Sequence, residues 1–284
     1  MTSKRDDQEI AKVSIELAER AAVGIMAIYA KDFAVEYKSP GDPVTEADRG
    51  ANALIVEGLM RAFPGVPIVA EESNAASYAG FEKAEAAFFV DPVDGTRDFV
   101  GKTGEFTVML GFAEKGRATI GVVVWPTKKR TFVGIVGWGN GKGTAYELSP
   151  DGSKKNLTLS GTTDLAQASM LITRSRRTPE MMARLERIGA KTLIPCGSSG
   201  LKAALVAAGE ADLYAHPAPL GKRWDTCAGE ALVFAAGGNA TDLGGRFIDY
   251  RTANLANAGG FVASNGHLHE AALERLGNDV GAEE

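Results

Sequence analysis

The chain has 284 residues, of which 45% are hydrophobic and 24% charged, which is the composition of a globular protein and excludes a disordered or fibrous chain. The net charge is −5 and no segment is dominated by Lys or Arg, so we expect no nucleic-acid polymer as a partner. No run reaches the roughly 18 apolar residues of a membrane span, and the polar N-terminus has no apolar signal core. We therefore expect a cytoplasmic protein without membrane association. The 34 glycines are an excess that predicts many tight turns and close backbone contacts.

The first half of the chain predicts two helices followed by a meander of strands. Apolar residues at helical spacing run from Ile10 to Ile28 and again from Ala51 to Leu59. Five β-type apolar runs follow, at 66–70, 87–90, 106–112, 118–125 and 131–136. The Gly-rich run 138–144 fails the spacing of nucleotide-binding loops and predicts a hairpin turn. Helices followed by a meander indicate an α+β first half.

The polar, turn-rich segment 149–155 is the best candidate for a domain boundary, dividing the chain into 1–150 and 151–284. Beyond it, strands and helices alternate. The predicted strands are 170–173, 192–195, 212–215 and 261–264, and the predicted helices are 178–188, 199–208 and 226–236. Alternation of this kind is typical of an α/β layer.

The most informative segment places two carboxylates at the end of an apolar strand. Asp91 and Asp94 stand three residues apart, with Pro92 fixing one backbone torsion between them and Gly95 permitting a sharp exit. Two acids that converge on one point repel each other unless a cation lies there. Hard oxygen ligands, including the Val93 carbonyl, suit Mg²⁺. The alternative is a surface turn, while the spacing excludes an EF-hand loop and disfavours an aspartyl-nucleophile mechanism.

Three further segments carry acidic residues, each of which could be a site ligand or have a local structural role such as a helix cap. Of the adjacent Glu71 and Glu72, only one can face a given site in extended backbone, and we favour Glu71. Thr45 and Asp48 have the spacing of a capping box, which by itself is the better interpretation. Asp225 precedes a helix of small residues, so it is either a ligand or an N-cap.

Together these segments resemble the inositol monophosphatase superfamily of Mg²⁺-dependent, lithium-sensitive phosphomonoesterases. The resemblance covers about Lys38 to Leu268, and its motifs in order are Asp-Pro-Val-Thr-x-x-Asp, Ala-Glu-Glu-Ser, Asp-Pro-Val-Asp-Gly-Thr and Trp-Asp-x-x-x-Gly-Glu-Ala-Leu. It implies a layered αβαβα sandwich of the inositol monophosphatase and fructose-1,6-bisphosphatase type, with an antiparallel sheet in the first half and an α/β second half. It also implies a homodimer and a site between the two halves.

The resemblance further implies two or three Mg²⁺ ions per site. Their ligands would be hard oxygens, namely Glu71, Asp91, the Val93 carbonyl, Asp94 and Asp225. Asp91 would serve both of the tighter ions, and Asp48 with Glu71 would serve a weaker third.

Catalytic and phosphate-binding roles are implied in the same way. Glu71 and Thr96 would position the attacking water, with Asp48 nearby. The phosphate would meet Asp94 and the backbone N–H groups of Gly95 and Thr96 at a helix start, where such donors are unpaired.

The substrate is expected to be a small phosphorylated metabolite. Residues 196–202 and 104–108 resemble segments of the 3'(2'),5'-bisphosphate nucleotidases, so Ser198, Ser199 and Lys202 would meet the sugar and second phosphate, with Lys222 or Arg223 near the leaving group. Helix capping at Ser199 and a solvated helix face for Lys202 are the alternatives.

The leading prediction is therefore a nucleotidase acting on phosphoadenosine phosphate. Inositol-selective members usually present a Glu before the Trp-Asp motif, and residues 214–222 contain no carboxylate. Inositol-1-monophosphatase and histidinol-phosphate phosphatase remain alternatives within the superfamily. A non-catalytic metal-binding regulatory protein is the alternative of a different class, which the presence of Glu71 and Thr96 disfavours.

Overall fold

A computed structural model describes residues 6–138, 143–175, 177–217 and 221–277. The helices are α1 Asp7–Tyr29, α2 Glu46–Ala62, α3 Thr96–Val100, α4 Pro179–Glu186, α5 Ser199–Ala207, α6 Trp224–Ala235 and α7 His269–Leu276. The strands are β1 Glu36–Ser39, β2 Asp42–Val44, β3 Ile68–Ala70, β4 Ala86–Asp94, β5 Thr107–Glu114, β6 Arg117–Trp125, β7 Arg130–Ile135, β8 Thr144–Leu148, β9 Lys154–Asn156, β10 Ser169–Thr173, β11 Thr192–Cys196, β12 Leu213–His216, β13 Asn239–Thr241 and β14 Phe261–Ser264. Within the described ranges, no helix combines the length and the apolar character needed to cross a membrane.

The strands form two main sheets and a short hairpin. In the large sheet, β3 to β9 follow one another in chain order, and every neighbouring pair is antiparallel except β3 and β4. In the small sheet the order is β11-β10-β12-β14-β13, with β10 parallel to both β11 and β12. Strands β1 and β2 form a separate antiparallel pair. The predicted division into an antiparallel first half and an α/β second half is confirmed.

Three hydrophobic clusters hold the layers together, because side chains alternate across each strand. On β5, Val108, Leu110 and Phe112 face α1 and α2, whereas Met109 and Ala113 face α5 and α6. The helices α5 and α6 also cover one face of the small sheet, and α4 and α7 cover its other face. The order of layers is helix, sheet, helix, sheet, helix, which is the expected αβαβα sandwich.

A row of glycines seats α6 against the large sheet. Gly111, Gly121 and Gly134 are direct neighbours on β5, β6 and β7. A Cβ atom on Gly121 would lie 2.0 Å from the carbonyl oxygen of Ala228, so the helix rests on bare backbone. Part of the glycine excess thus serves a close approach between elements, and this approach fixes the position of Asp225 at the start of α6.

Two chain segments differ in detail from the sequence-based expectation. Helix α6 begins at Trp224, so Asp225 lies in the first turn and the N-cap is Arg223. The proposed boundary segment is the turn of the β8–β9 hairpin, in which Ser149 donates its N–H to Ser153, so the large sheet continues to Asn156. The predicted hairpin turn at 138–144 falls largely on residues 139–142, outside the described residues.

His269 matches no sequence motif and is therefore expected on the surface or in a loop, but the structure buries it. It begins α7, is buried, and its ring nitrogens lie 2.8 Å from Thr241 Oγ1 and 3.0 Å from Ser264 Oγ. These hydroxyls supply the polar partners that a buried imidazole requires. Burial lowers the pKa of His269 to about 4, so the ring is neutral at pH 7.

Candidate active site

The candidate site is a cleft of about 850 Å³ between the two halves of the chain. The end of β4 and the N-terminal ends of α3, α5 and α6 all line it. Helix N-termini present unpaired N–H groups and a partial positive charge, which favour anionic ligands. The topology therefore places carboxylates and anion-binding backbone in one cavity.

Three carboxylates converge at the bottom of this cleft. Asp91, Asp94 and Asp225 each offer an oxygen, and these oxygens lie within 4.8 Å of one another. The pairing of β4 with β5 shifts register between Asp91 and Asp94, and Gly95 follows with φ at +91°, which turns both acids inward. This is the convergence that the spacing predicted.

The electrostatics of the cluster favour a bound cation. Burial raises the pKa of Asp91 well above its usual value, and the charges of Glu71, Asp94 and Asp225 raise it further. Ionised acids at this separation repel strongly in a site of low polarity. The donor set consists of hard oxygens, so a divalent cation of the Mg²⁺ kind fits it.

Asp94 is held by a segment on the opposite side of the cleft. Its Oδ2 accepts hydrogen bonds from Ser198 Oγ at 2.6 Å and Gly200 N at 2.7 Å, and Ser199 Oγ lies 3.2 Å from both carboxylate oxygens. Ser198 also caps α5, accepting from Leu201 N at 2.9 Å. The capping alternative thus applies to Ser198, and both serines predicted to meet substrate contact this acid.

Lys202, also predicted to bind substrate, lines the cleft but is itself buried. Its Nζ donates to the carbonyl oxygens of Cys196 at 3.3 Å, Gly197 at 3.2 Å and Ser198 at 2.7 Å. These contacts match the three donors of an ammonium group. Burial lowers the pKa of Lys202, and the solvated-face alternative is wrong.

Glu71 stands beside the carboxylate cluster and is paired with a cation from the protein. Lys38 Nζ lies 2.8 Å from Glu71 Oε1 and 2.7 Å from Glu72 Oε1, so one ammonium joins both adjacent acids. Burial raises the pKa of Glu71, while Lys38 opposes this shift. Lys38 is not among the site residues predicted from the sequence, in which it is simply a basic residue shortly before the first acidic motif.

Asp48 caps α2 and also contacts Thr96, which lines the cleft. Its Oδ2 accepts from Thr45 N at 2.8 Å and Thr45 Oγ1 at 2.6 Å, which completes the capping box of α2. Its Oδ1 accepts from Thr96 Oγ1 at 3.0 Å, and this hydroxyl lies 3.1 Å from the Val93 carbonyl. Burial raises the pKa of Asp48. The cap therefore also orients the Thr96 hydroxyl within the cleft.

Of the two basic residues expected near the leaving group, Lys222 lines the cleft. The side chain of Arg223 instead donates from Nη1 to Asn257 Oδ1 at 2.6 Å. Consecutive residues at the start of α6 point in different directions, which separates their roles.

A cluster of hard oxygen donors beside three helix N-termini is the kind of site that metal-dependent phosphoryl chemistry uses. The model of the inositol monophosphatase family matches residues 6–280, so the chain belongs to this family. Its members are metal-dependent phosphomonoester hydrolases, and the predicted enzyme class is confirmed.

Individual relatives span nearly the whole chain. The 3'(2'),5'-bisphosphate nucleotidase CysQ of Salmonella typhimurium is 34% identical over 237 residues, which are 83% of this chain and 91% of the relative. Inositol monophosphatase 2 of Solanum lycopersicum is 30% identical over 275 residues, covering 95% and 98%. The extragenic suppressor protein SuhB of Bartonella henselae has a similar fold, with a TM-score of 0.80, 24% identity and coverage of 95% and 99%.

Proposed function

We propose that this chain is a Mg²⁺-dependent 3'(2'),5'-bisphosphate nucleotidase that hydrolyses phosphoadenosine phosphate. The observation that carries the hydrolytic part is the convergence of Asp91, Asp94 and Asp225 within 4.8 Å. The similarity to CysQ over 83% of the chain supports the nucleotide as substrate.

The residues proposed to hold two or three Mg²⁺ ions are Glu71, Asp91, the Val93 carbonyl, Asp94 and Asp225, with Asp48 near the third. Bound Mg²⁺ would supply an activated water and neutralise charge on the phosphate and the leaving oxygen. The carboxylates contribute by fixing the number and direction of oxygen donors in a cavity that is partly closed to solvent.

Thr96 is proposed to position the attacking water. Its hydroxyl donates its single proton toward Asp48 Oδ1 or the Val93 carbonyl, at 3.0 and 3.1 Å, so its lone pairs are left to accept from water. Glu71, held by Lys38, would accept the other proton of that water. The N–H groups of Gly95 and Thr96 are proposed to bind phosphate oxygens at the start of α3.

The size and charge of the cleft favour a nucleotide. At about 850 Å³, it lies at the upper end of the range for small-molecule sites. Among the described residues, five basic side chains line it, namely Lys38, Arg97, Arg177, Lys202 and Lys222. Lys202 is occupied by carbonyl groups, so recognition of a second phosphate is assigned to Lys222 among the residues predicted from the sequence.

The test is phosphate release in Mg²⁺ from phosphoadenosine phosphate, inositol 1-phosphate and histidinol phosphate at equal concentrations. We expect the nucleotide to give the highest kcat/KM, and Asp94→Asn to abolish release of phosphate while the fold is retained. Faster hydrolysis of inositol 1-phosphate would favour the second candidate, which the 30% identity to inositol monophosphatase 2 supports. If none of the three esters is hydrolysed, the result would favour the alternative of a non-catalytic metal-binding regulatory protein.

A homodimer, a cytoplasmic location and sensitivity to lithium complete the proposal and rest on the sequence analysis and its family resemblance. Sedimentation of the purified chain and inhibition of phosphate release by LiCl, with NaCl as the control, test the first and the last.

A further inference from the structure

Residues 198–200 form the segment that holds Asp94, and the first of them has an unusual backbone conformation. Ser198 has φ at +48° and ψ at 128°, a conformation that residues other than glycine rarely adopt. Such a conformation persists only where its surroundings over-determine it. In this conformation the hydroxyl of Ser198 and the N–H of Gly200 both donate to Asp94 Oδ2.

Two charged side chains hold the segment from its two sides. Lys202 takes the carbonyl oxygens of Cys196, Gly197 and Ser198. Glu105 binds a backbone donor instead: its Oε2 accepts a hydrogen bond from Gly197 N at 2.7 Å. Lys202 therefore holds the backbone carbonyl groups around Gly197, and Glu105 holds its backbone N–H group.

Glu105 is itself fixed by an arginine from the second half of the chain. Arg174 Nη2 lies 2.7 Å from both Glu105 oxygens, and its Nε lies 3.0 Å from Oε2. Arg174 also donates to the Pro195 carbonyl at 3.0 Å, just before the segment. A Cβ atom on Gly197 would lie 2.5 Å from the Glu105 carbonyl oxygen, so backbone and side chain of Glu105 both confine this residue.

We propose that Glu105 is a positioning residue for the metal site: it acts through Gly197 and Ser198 to aim the carboxylate of Asp94. The inference rests on the proposed function, since it assigns Asp94 to a Mg²⁺ ion. Groups that orient metal ligands without touching the metal typically change its affinity by about 10- to 100-fold when removed. Glu105 joins the half that carries Asp94 to the half that carries the holding segment.

The chain offers a matched control for this proposal. Glu147 also receives two hydrogen bonds from an arginine, Arg130, at 2.7 and 2.8 Å, and its side chain is 19% exposed against 25% for Glu105. Glu147 lies on β8 and does not line the cleft. Glu105→Ala and Glu147→Ala thus each remove a partly buried carboxylate paired with an arginine, and of the two only Glu105 is linked through Gly197 and Ser198 to Asp94.

The experiment is calorimetric titration of each folded variant with Mg²⁺ alone, without substrate. We expect Glu105→Ala to weaken Mg²⁺ binding about tenfold or more and Glu147→Ala to leave it unchanged. We also expect the Mg²⁺ concentration for half-maximal phosphate release to rise in Glu105→Ala by the same factor. Wild-type affinity in Glu105→Ala, or equal weakening in both variants, would overturn the proposal.

Glu105→Gln keeps an oxygen for Gly197 N but loses the charge that binds Arg174. We expect it to weaken Mg²⁺ binding by about threefold, between wild type and Glu105→Ala. If Glu105→Ala does not fold, wild-type affinity in Glu105→Gln overturns the proposal. A wild-type chain that binds no Mg²⁺ would instead contradict the proposed function, so the two failures are distinguishable.

Discussion

Asp212 and Asp91 are both buried carboxylates, and their surroundings differ in kind. Asp212 accepts from Ser160 Oγ at 2.6 Å and from Ser169 N and Oγ at 2.6 and 2.8 Å. Burial works against its ionisation, yet these hydrogen bonds lower the pKa of Asp212. Asp91 accepts from Val93 N at 3.0 Å and otherwise faces acids, and its pKa is raised.

Asp212 has the surroundings of a structural acid, whereas Asp91 has those of a proposed metal ligand. A buried carboxylate whose oxygens are satisfied by the protein's own donors stabilises the fold. A buried carboxylate surrounded by other carboxylates costs stability until a cation arrives. Burial alone does not reveal the role of an acid, whereas the partners of its oxygens do.

The largest effect is expected from Asp91→Asn. The substitution should lower kcat/KM for phosphate release at least about 10³-fold, because several kcal/mol of metal-dependent stabilisation are lost. In metal-free protein it should raise the melting temperature, because it removes one charge from a repelling cluster. Phosphate-release assays in Mg²⁺ measure the first effect, and thermal unfolding in EDTA measures the second. A lower melting temperature in EDTA would contradict the charge argument.

The next largest effect is expected from Gly121→Ala, which should displace α6 and with it Asp225. Gly121→Ala places a methyl group 2.0 Å from the Ala228 carbonyl oxygen, so α6 must move. Overpacking of this kind costs about 3 kcal/mol. We expect weaker Mg²⁺ binding as well, because α6 carries Asp225. Denaturant unfolding and Mg²⁺ titration measure both.

Gly24→Ala is the control for this substitution. Gly24 lies inside α1 with nothing within 4 Å of a new Cβ atom, so alanine should stabilise the chain by about 0.5–1 kcal/mol. If Gly121→Ala were also neutral or stabilising, the glycine row would have no role in seating α6.

Asp212→Ala should give the opposite result to Asp91→Asn. It leaves the donors of Ser160 and Ser169 without their acceptor, which we expect to cost about 2–3 kcal/mol. The Mg²⁺ affinity of the folded variant should equal that of wild type. Chemical denaturation and calorimetry test this pair of expectations, and a changed Mg²⁺ affinity would show that the two regions are coupled.

The sequence was sufficient for the parts of the site that local geometry determines. The spacing of Asp91 and Asp94 on one strand end already indicates convergence, and the capping box at Asp48 follows from local rules. The contacts of Ser198 and Lys202 were not predictable, because they depend on which side of the cleft β11 and α5 present to Asp94. Motif matching places such residues in the site but does not distinguish substrate contacts from contacts to a metal ligand.

The glycine row was missed for a related reason. Gly111, Gly121 and Gly134 lie on successive strands, and only the register of the sheet brings them side by side. Their sequence signal is one glycine within each strand of an antiparallel meander, which indicates a close approach by another element. Similarly, a histidine such as His269 has no sequence feature that separates a buried ring from an exposed one.

Glu230 is a third kind of buried acid. Its carboxyl group is neutralised by a proton, whereas Asp212 is stabilised by hydrogen-bond donors and Asp91 is proposed to bind a metal ion. Burial raises the pKa of Glu230 to about 8, against the opposing effects of Tyr250 and Arg117, and Oε1 has no hydrogen-bond partner among the described residues. The carboxyl is therefore largely protonated at pH 7. Because its unfolded pKa is near 4.5, this group stabilises the folded chain fully below pH 4.5.

The last prediction concerns the pH dependence of this contribution. The stabilisation should decline as the pH rises from 4.5 to 8 and then stay constant, because the folded state releases its proton only near pH 8. His269, with a pKa of about 4, has the opposite sign, and its stabilisation grows between pH 4 and 6.5. Subtracting the unfolding profile of Glu230→Gln from that of wild type isolates the Glu230 part. A difference that is flat between pH 5 and 8 would place Glu230 with Asp212, as an acid that the protein keeps ionised.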